Sequence, residues 1–345
     1  MRMTRSAKDV GTRRGLQTRI ATALLLACAM MISSGLCGQA WGQAKLARVG
    51  ILSFSPVADD PNLDASLQGI RRHLVDQAWI DGKNVAFVYR NAQSDPSKFS
   101  EAAAAIVELK VDVIVADSAP MLRAAYAATR TIPIVASDYT TDPVAEGYVL
   151  SYGRPGGNVT GVFLDAPEFA GKWFELLKAM IPKLSRVAVL WDPAPGATHL
   201  QAVRNVAESL NIGLQVLEVR KPADIDTAFS AITEKNQAVI ILPSPMTYGQ
   251  IARLARLALK YRLPATTMNP EFASAGGIIA YGPDSDLADQ RMAVMVAKIL
   301  NGSKPADVPV ERPTTFQLVV NLKTAKALGI TIPQSILLRA DEVIR

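Results

Sequence analysis

With 345 residues, 49% of them hydrophobic, the chain can bury a sizeable core without disulfides. Its net charge of +6 suggests an anionic partner only until the charge is located along the chain. Six of the 37 basic residues and one of the 31 acids lie in the first 44 positions. The remainder therefore carries 31 and 30, a net charge of +1, which removes the electrostatic case for nucleic acid.

Those first 44 residues have the order of a secretory signal peptide. A basic segment (Arg2, Arg5, Lys8, Arg13, Arg14, Arg19) precedes an uncharged apolar run from Ile20 to Leu36, then a short stretch of small and polar residues. Cleavage fits best after Ala44, with Ala40 as the second site. The alternative, a membrane anchor, meets a run of about 17 residues, at the short edge for spanning a bilayer. Arg13-Arg14 partly resembles a twin-arginine export signal, and Leu25–Cys28 loosely resembles a lipoprotein box. Both cysteines, Cys28 and Cys37, lie in this leader. The mature chain is expected to begin at Lys45, to be periplasmic and monomeric, and to hold no disulfide and no thiolate metal site.

Short β-branched runs then alternate with helical segments. Residues 48–53 (RVGILS) read as a strand. Residues 63–78 read as a helix with Leu63, Leu67, Ile70, Leu74 and Ala78 on one face. A strand follows at 84–89, a helix at 96–109 capped by Asp95, and a strand at 111–116. Strands that are unbroken apolar runs are buried on both faces, as in a parallel sheet covered by helices. The fold class is α/β with right-handed crossovers.

The pattern repeats. RVGILS at 48–53 is echoed by RVAVLW at 186–191, and VDVIVADSAP at 111–120 by QAVIILPSP at 237–245. RTIPIV at 130–135 is echoed by RLPAT at 262–266, and GYVLSYG at 147–153 by GGIIAYG at 276–282. Four echoes in order argue for two Rossmann-like lobes with parallel sheets. One large doubly wound domain is the alternative.

Ligands of open α/β sheets bind beyond the carboxyl ends of strands, where helix N-termini offer free N–H groups. Ser53 and Phe54 end the first strand, and Asp117, Ser118 and Ala119 follow the third. Ser244 occupies the corresponding place in the second lobe. A cleft between lobes would set both helix starts around one small ligand. Phe54, Tyr139, Tyr248, Phe272 and Tyr281 are candidate walls.

Catalytic motifs are missing. There is no GxGxxG after a strand, no P-loop, no GxSxG elbow and no metal-ligand spacing, so no cofactor or metal is expected. His73, inside Arg71-Arg72-His73, is expected on the surface of its helix, and His199 in the opening turn of another. Asp165 and Asp192 are expected to cap helices.

Several segments together resemble the substrate-binding proteins of ABC transporters that take up tryptophan and related amino acids. They are residues 47–53, 110–116, RPGGNVTG at 154–161, 184–191 and 275–282. NLKTAKALG at 321–329, with its surroundings from Phe316 to Ile344, completes them. The resemblance implies the type I periplasmic-binding-protein architecture, two lobes joined by three crossovers. It divides the chain into a signal peptide (1–44), an N-terminal lobe (45–161 plus 283–310) and a C-terminal lobe (162–282 plus 311–345). Crossings are expected near 160–163, 281–284 and 308–316, where glycines and prolines gather. The implied partner is an ABC permease in the membrane, and the protein is not an enzyme. The resemblance also places an acid, Asp142, where it suits an α-ammonium group, and backbone N–H groups of Ser118 and Ala119 where they suit a carboxylate. Asp117 departs from the small residues common at its position and would repel an anion there. Ser244 departs from a common Asp. Rival readings are a periplasmic enzyme using Asp117 and Asp142 as an acid–base pair, and a ligand sensor feeding a membrane receptor.

Overall fold

The computed structural model describes residues 46–54, 65–93, 95–164 and 168–345. The signal peptide, Leu63 and Asp165 lie outside them. Residues from Leu46 to Arg345 form one compact unit with two α/β lobes.

The first sheet is parallel, in the order β2-β1-β3-β4-β5, with β1 Ala47–Ser53, β2 Val85–Asn91, β3 Val113–Ala116, β4 Ile134–Asp138 and β5 Val159–Phe163. The second is also parallel, in the order β7-β6-β8-β9, with β6 Arg186–Trp191, β7 Gly213–Glu218, β8 Ala238–Ile241 and β9 Ala265–Thr267. The first four strands of each lobe therefore have the same spatial order. The central strands β3 and β8 are buried at every position, as unbroken apolar runs in a covered sheet must be.

The fourth echo ends differently in the two lobes. Residues 147–153 form turns rather than a strand. Gly147 and Gly156 take positive φ (72° and 75°), and the N–H groups of Tyr148 and Val149 turn back to the carbonyl of Pro143. Its counterpart enters β10 Ile279–Pro283, which pairs antiparallel with β11 Phe316–Asn321 in a third sheet completed by β12 Glu342–Ile344. Similar sequences thus have different neighbours to pair with.

Helices cover both sheets. In the first lobe α1 is Ala65–Asp76, α2 Phe99–Glu108 and α3 Ala119–Ala128. Ile70 and Leu74 of α1 are buried as their spacing predicts, while Ala78 lies past the helix end with φ 64°. Asp95 caps a single 3₁₀ turn, Pro96–Lys98, that leads into α2. In the second lobe α4 is Glu168–Met180, α5 Thr198–Ser209, α6 Asp224–Ser230, α7 Pro245–Tyr248, α8 Ile251–Lys260 and α9 Glu271–Ser274. After β10, helix α10 (Ser285–Leu300) returns to the first sheet, where Met292 and Val296 share a core with Ile70, Leu74 and Val113. His73, expected on the surface, is buried in this helix pair, with Nε2 3.1 Å from a carboxylate oxygen of Asp286 on α10. The reason is tertiary: α10 covers a face that is polar in the sequence.

Residues 308–311 add to the first sheet beside β5. Phe163 N–H donates to Glu311 O, Glu311 N–H donates to Gly161 O, and the Thr160 hydroxyl donates to Val308 O at 2.7 Å. The last helices, α11 Leu322–Leu328 and α12 Gln334–Leu337, bracket the approach to β12. Asn321 caps α11, and Gly329 ends it in the left-handed conformation (φ 71°). Among the described residues no helix is long and apolar enough to cross a membrane.

Candidate functional site

The two lobes present equivalent helix starts at the carboxyl ends of β3 and β8. Ser118 precedes α3 with φ −170° and ψ 160°, and Ser244 precedes α7 with φ −157° and ψ 161°. Each is followed by proline at one of the first two helical positions, where a missing N–H costs nothing. Their hydroxyls behave differently. Ser244 Oγ accepts from Thr247 N–H at 3.1 Å while Thr247 Oγ1 accepts from Ser244 N–H at 2.9 Å, a complete capping box. Ser118 Oγ makes no cap bond; it is buried, with no hydrogen-bond partner among the described residues. A buried hydroxyl without a partner is costly, so a polar ligand atom at this helix start would relieve it. Ala119 is buried beside it and Asp117 is half-buried in the same turn.

Ser244 also donates to Asp192, which follows β6 and is 5% exposed. Burial pushes the Asp192 carboxyl up, against the hydrogen bonds from Ala194 N–H and Ser244. The expected capping role becomes a turn: Asp192 Oδ1 accepts from Ala194 N–H at 2.9 Å, two residues on.

Two of the candidate wall tyrosines approach one another from different lobes. Tyr139 follows β4 in the first lobe, and Tyr248 ends α7 in the second. Tyr248 keeps 36% of its surface exposed, yet protein surrounds its hydroxyl and pushes its pKa up, with Tyr139 and Glu271 adding to the shift. Tyr139 is likewise half-buried, and burial pushes its hydroxyl up to about 12. Both phenols stay neutral, and the Tyr139 hydroxyl is hydrogen-bonded with Ser137.

The other expected residues fall elsewhere. Ser53 is buried at the end of β1. Phe54 is 5% exposed and packs on Phe99 with ring centroids 5.8 Å apart, so it contributes to the core. Phe272 is fully buried against Gly277. Tyr281 lies on β10 in a ring cluster with Phe169 (5.8 Å) and Phe316 (6.0 Å), with Lys172 Nζ 5.7 Å over its face. Asp142 is half-buried, and its Oδ1 accepts from Val144 N–H at 2.9 Å. Its loop folds onto α3, where Tyr148 packs edge-on against Tyr126 (5.0 Å) and Tyr126 donates to Gly147 O. That contact lies at the far end of α3 from Ser118; what Asp142 and Ser118 share is their place after the neighbouring strands β4 and β3.

Sequence reasoning passed over Asp138, and it placed His199 in the opening turn of α5, where it lies, without giving it a role. Asp138 is 1% exposed and accepts from Thr140 N–H, from Thr140 Oγ1 and from Thr141 Oγ1, which fixes the turn that carries Tyr139. Burial pushes its carboxyl up despite those bonds. The run Asp138-Tyr-Thr-Thr141 was the available signal, since such residues form local side-chain turns. No group of His, Cys, Asp or Glu suited to a metal occurs among the described residues.

The model of the ABC transporter substrate binding protein family matches residues 49–344. The chain belongs to this family. A tyrosine-binding protein of Clostridioides difficile is 26% identical over 283 residues, 81% of each chain. The crystal structure of a conserved domain protein from Vibrio cholerae superposes with a TM-score of 0.78 at 30% identity, covering 87% of this chain and all of the other. A Streptococcus pneumoniae ABC domain in complex with L-Trp superposes with a TM-score of 0.76 at 26% identity, with the same coverage. The two lobes have the type I periplasmic-binding-protein fold. This substrate-binding protein therefore has relatives that bind small molecules.

Proposed function

We propose that this substrate-binding protein captures an aromatic amino acid between its lobes outside the cytoplasmic membrane and delivers it to the permease of an ABC importer. The observation that carries this reading is the approach of Tyr139 and Tyr248 to one another, one from each lobe, and we take the two rings to line the space the ligand fills. Aromatic walls with neutral hydroxyl tips suit a ring that carries polar ends. The ligand carboxylate is assigned to the start of α3, at Ser118 and Ala119, where helix N–H groups favour an anion. The ammonium group is assigned to Asp142, on the loop after β4, the strand beside the one that leads to Ser118. Ser244 acts indirectly, because its hydroxyl is committed to the capping box and to Asp192. The L-Trp complex and the tyrosine-binding relative support the ligand class. The basic, apolar and small-residue order of the first 44 residues supports export.

A thermal-shift screen against the twenty amino acids tests the ligand class. Tryptophan or tyrosine at 100 times its dissociation constant should stabilise the fold by about 2.7 kcal/mol. A screen in which sugars raise the melting temperature and no amino acid does would overturn the assignment.

A further inference from the structure

His199 links the lobes. It lies on α5 of the second lobe, 6% exposed, and its Nε2 is 2.8 Å from the carbonyl oxygen of Tyr139, at the end of β4 in the first lobe. A carbonyl only accepts, so Nε2 carries the proton and the ring is the Nε2–H tautomer. The imidazole also stacks on Trp173 of α4, with centroids 6.4 Å apart and planes 29° apart. Trp173 is fully buried, and its Nε1 donates to the carbonyl of Tyr281 on β10 at 3.3 Å. From β10 the chain passes directly into α10, which packs on the first sheet.

One imidazole is therefore held rigidly on the second lobe and reaches across to the first. Its acceptor belongs to Tyr139, which packs against the cores of both lobes. The turn behind that residue is fixed by Asp138, whose carboxylate accepts from Thr140 and whose carbonyl accepts from Leu164 N–H at 2.9 Å.

We propose that His199 is the latch of the closed cleft, a positioning residue whose Nε2–H bond to Tyr139 O holds the lobes together and sets the Tyr139 wall over the ligand. This inference rests on the reading that the lobes close around a small molecule. It does not depend on which molecule. Opening the lobes separates donor from acceptor, and closing them restores a bond shielded from water. A net hydrogen bond of this kind shifts the closed-to-open ratio by about fivefold.

The test uses protein purified from the cell envelope, with Cys28→Ser and Cys37→Ser so that no native thiol takes a label. Spin labels at Glu101→Cys and Lys235→Cys, exposed positions on opposite lobes, report their separation. Distance distributions are measured with and without L-tryptophan. The parent should show a short-distance population, and His199→Phe should move it to longer distances. His199→Gln, whose amide N–H can donate, should recover part of it. Where L-tryptophan binds, His199→Phe should raise its dissociation rate about fivefold. Identical distributions for parent and His199→Phe in both conditions overturn the latch, as does a parent that shows one long distance throughout. If L-tryptophan does not bind, histidine-selective ¹⁵N spectra of the parent decide the latch in place of the distances, so the two readings fail separately. If His199→Phe does not fold, histidine-selective ¹⁵N spectra of the parent decide it. A solvent-protected Nε2–H supports the latch, and an Nδ1–H tautomer overturns it.

Discussion

Two serines at equivalent helix starts have opposite assignments, and the difference comes from the third residue after each. Thr247 follows Ser244 and closes a reciprocal cap, whereas Met121 occupies that place after Ser118 and offers nothing to its hydroxyl. Ser244→Ala should therefore lower stability by about 1 kcal/mol, the usual cost of losing a cap. Ser118→Ala should leave the melting temperature unchanged or slightly raised, because a buried unpaired hydroxyl disappears. It should weaken binding of the amino acid by about 1.5–3 kcal/mol if the hydroxyl donates to a carboxylate. Calorimetric titration and thermal melts on both variants measure the contrast; equal effects on stability would contradict it. The sequence assigns the two serines one role, because Thr247 is not the Glu or Gln of the usual capping pattern, and only in the fold does it close the cap. It could not reveal that Phe54 and Phe272 turn into the core. An aromatic residue at a strand end is compatible with core or wall, and only the neighbours Phe99 and Gly277 decide.

Among the elements, β5 depends on one glycine. Gly161 takes φ 149°, and a Cβ there would stand 2.0 Å from the backbone oxygen of Ala136 on β4 and 2.7 Å from its nitrogen. Backbone atoms cannot rotate away as side-chain ends do. The same residue accepts the hydrogen bond from Glu311 that ties the returning chain to the sheet edge. Gly161→Ala should thus cost about 2–4 kcal/mol, from strain and overpacking together. It should also loosen the 308–311 segment, which hydrogen exchange at Glu311 and Phe163 would register. Unchanged protection there would show that the sheet accommodates the methyl group. The strands were legible because continuous apolar runs have few other places to go: both sheets, their parallel sense and the first three echoes follow from the pattern. The fourth echo misled, because GYVLSYG and GGIIAYG have the same local preference and differ in what lies beside them. Gly147 and the Pro143 carbonyl fold one into turns, and β11 draws the other into a new sheet. Pairing of that kind is a long-range fact that no local window contains.

For the whole molecule, a buried histidine between lobes has a consequence in pH. Burial holds His199 below its ordinary value, against the Tyr139 carbonyl that favours the protonated form. No charged side chain contributes to that shift. In the unfolded chain the imidazole titrates near its usual pKa of about 6.5. As pH falls below that value the unfolded state takes up a proton that the folded state refuses. Stability due to this group is present above the unfolded pKa and is lost as pH falls towards the folded one. Asp138 and Asp192 act in the opposite sense, because burial raises both: their contribution is present below the unfolded carboxylate pKa and lost as pH rises through the folded one. A single pH profile therefore mixes the two, and the histidine is isolated only by difference. His199→Gln keeps a neutral donor facing Tyr139 and removes the titration, while His73 and the carboxylates remain in both proteins and cancel. Melting temperatures should favour the parent most at about pH 7.5, and its margin should shrink steadily towards about pH 5. A margin that stays constant across that range would mean that His199 takes up its proton as readily folded as unfolded, and the buried, neutral bond between the lobes would not describe the protein in solution.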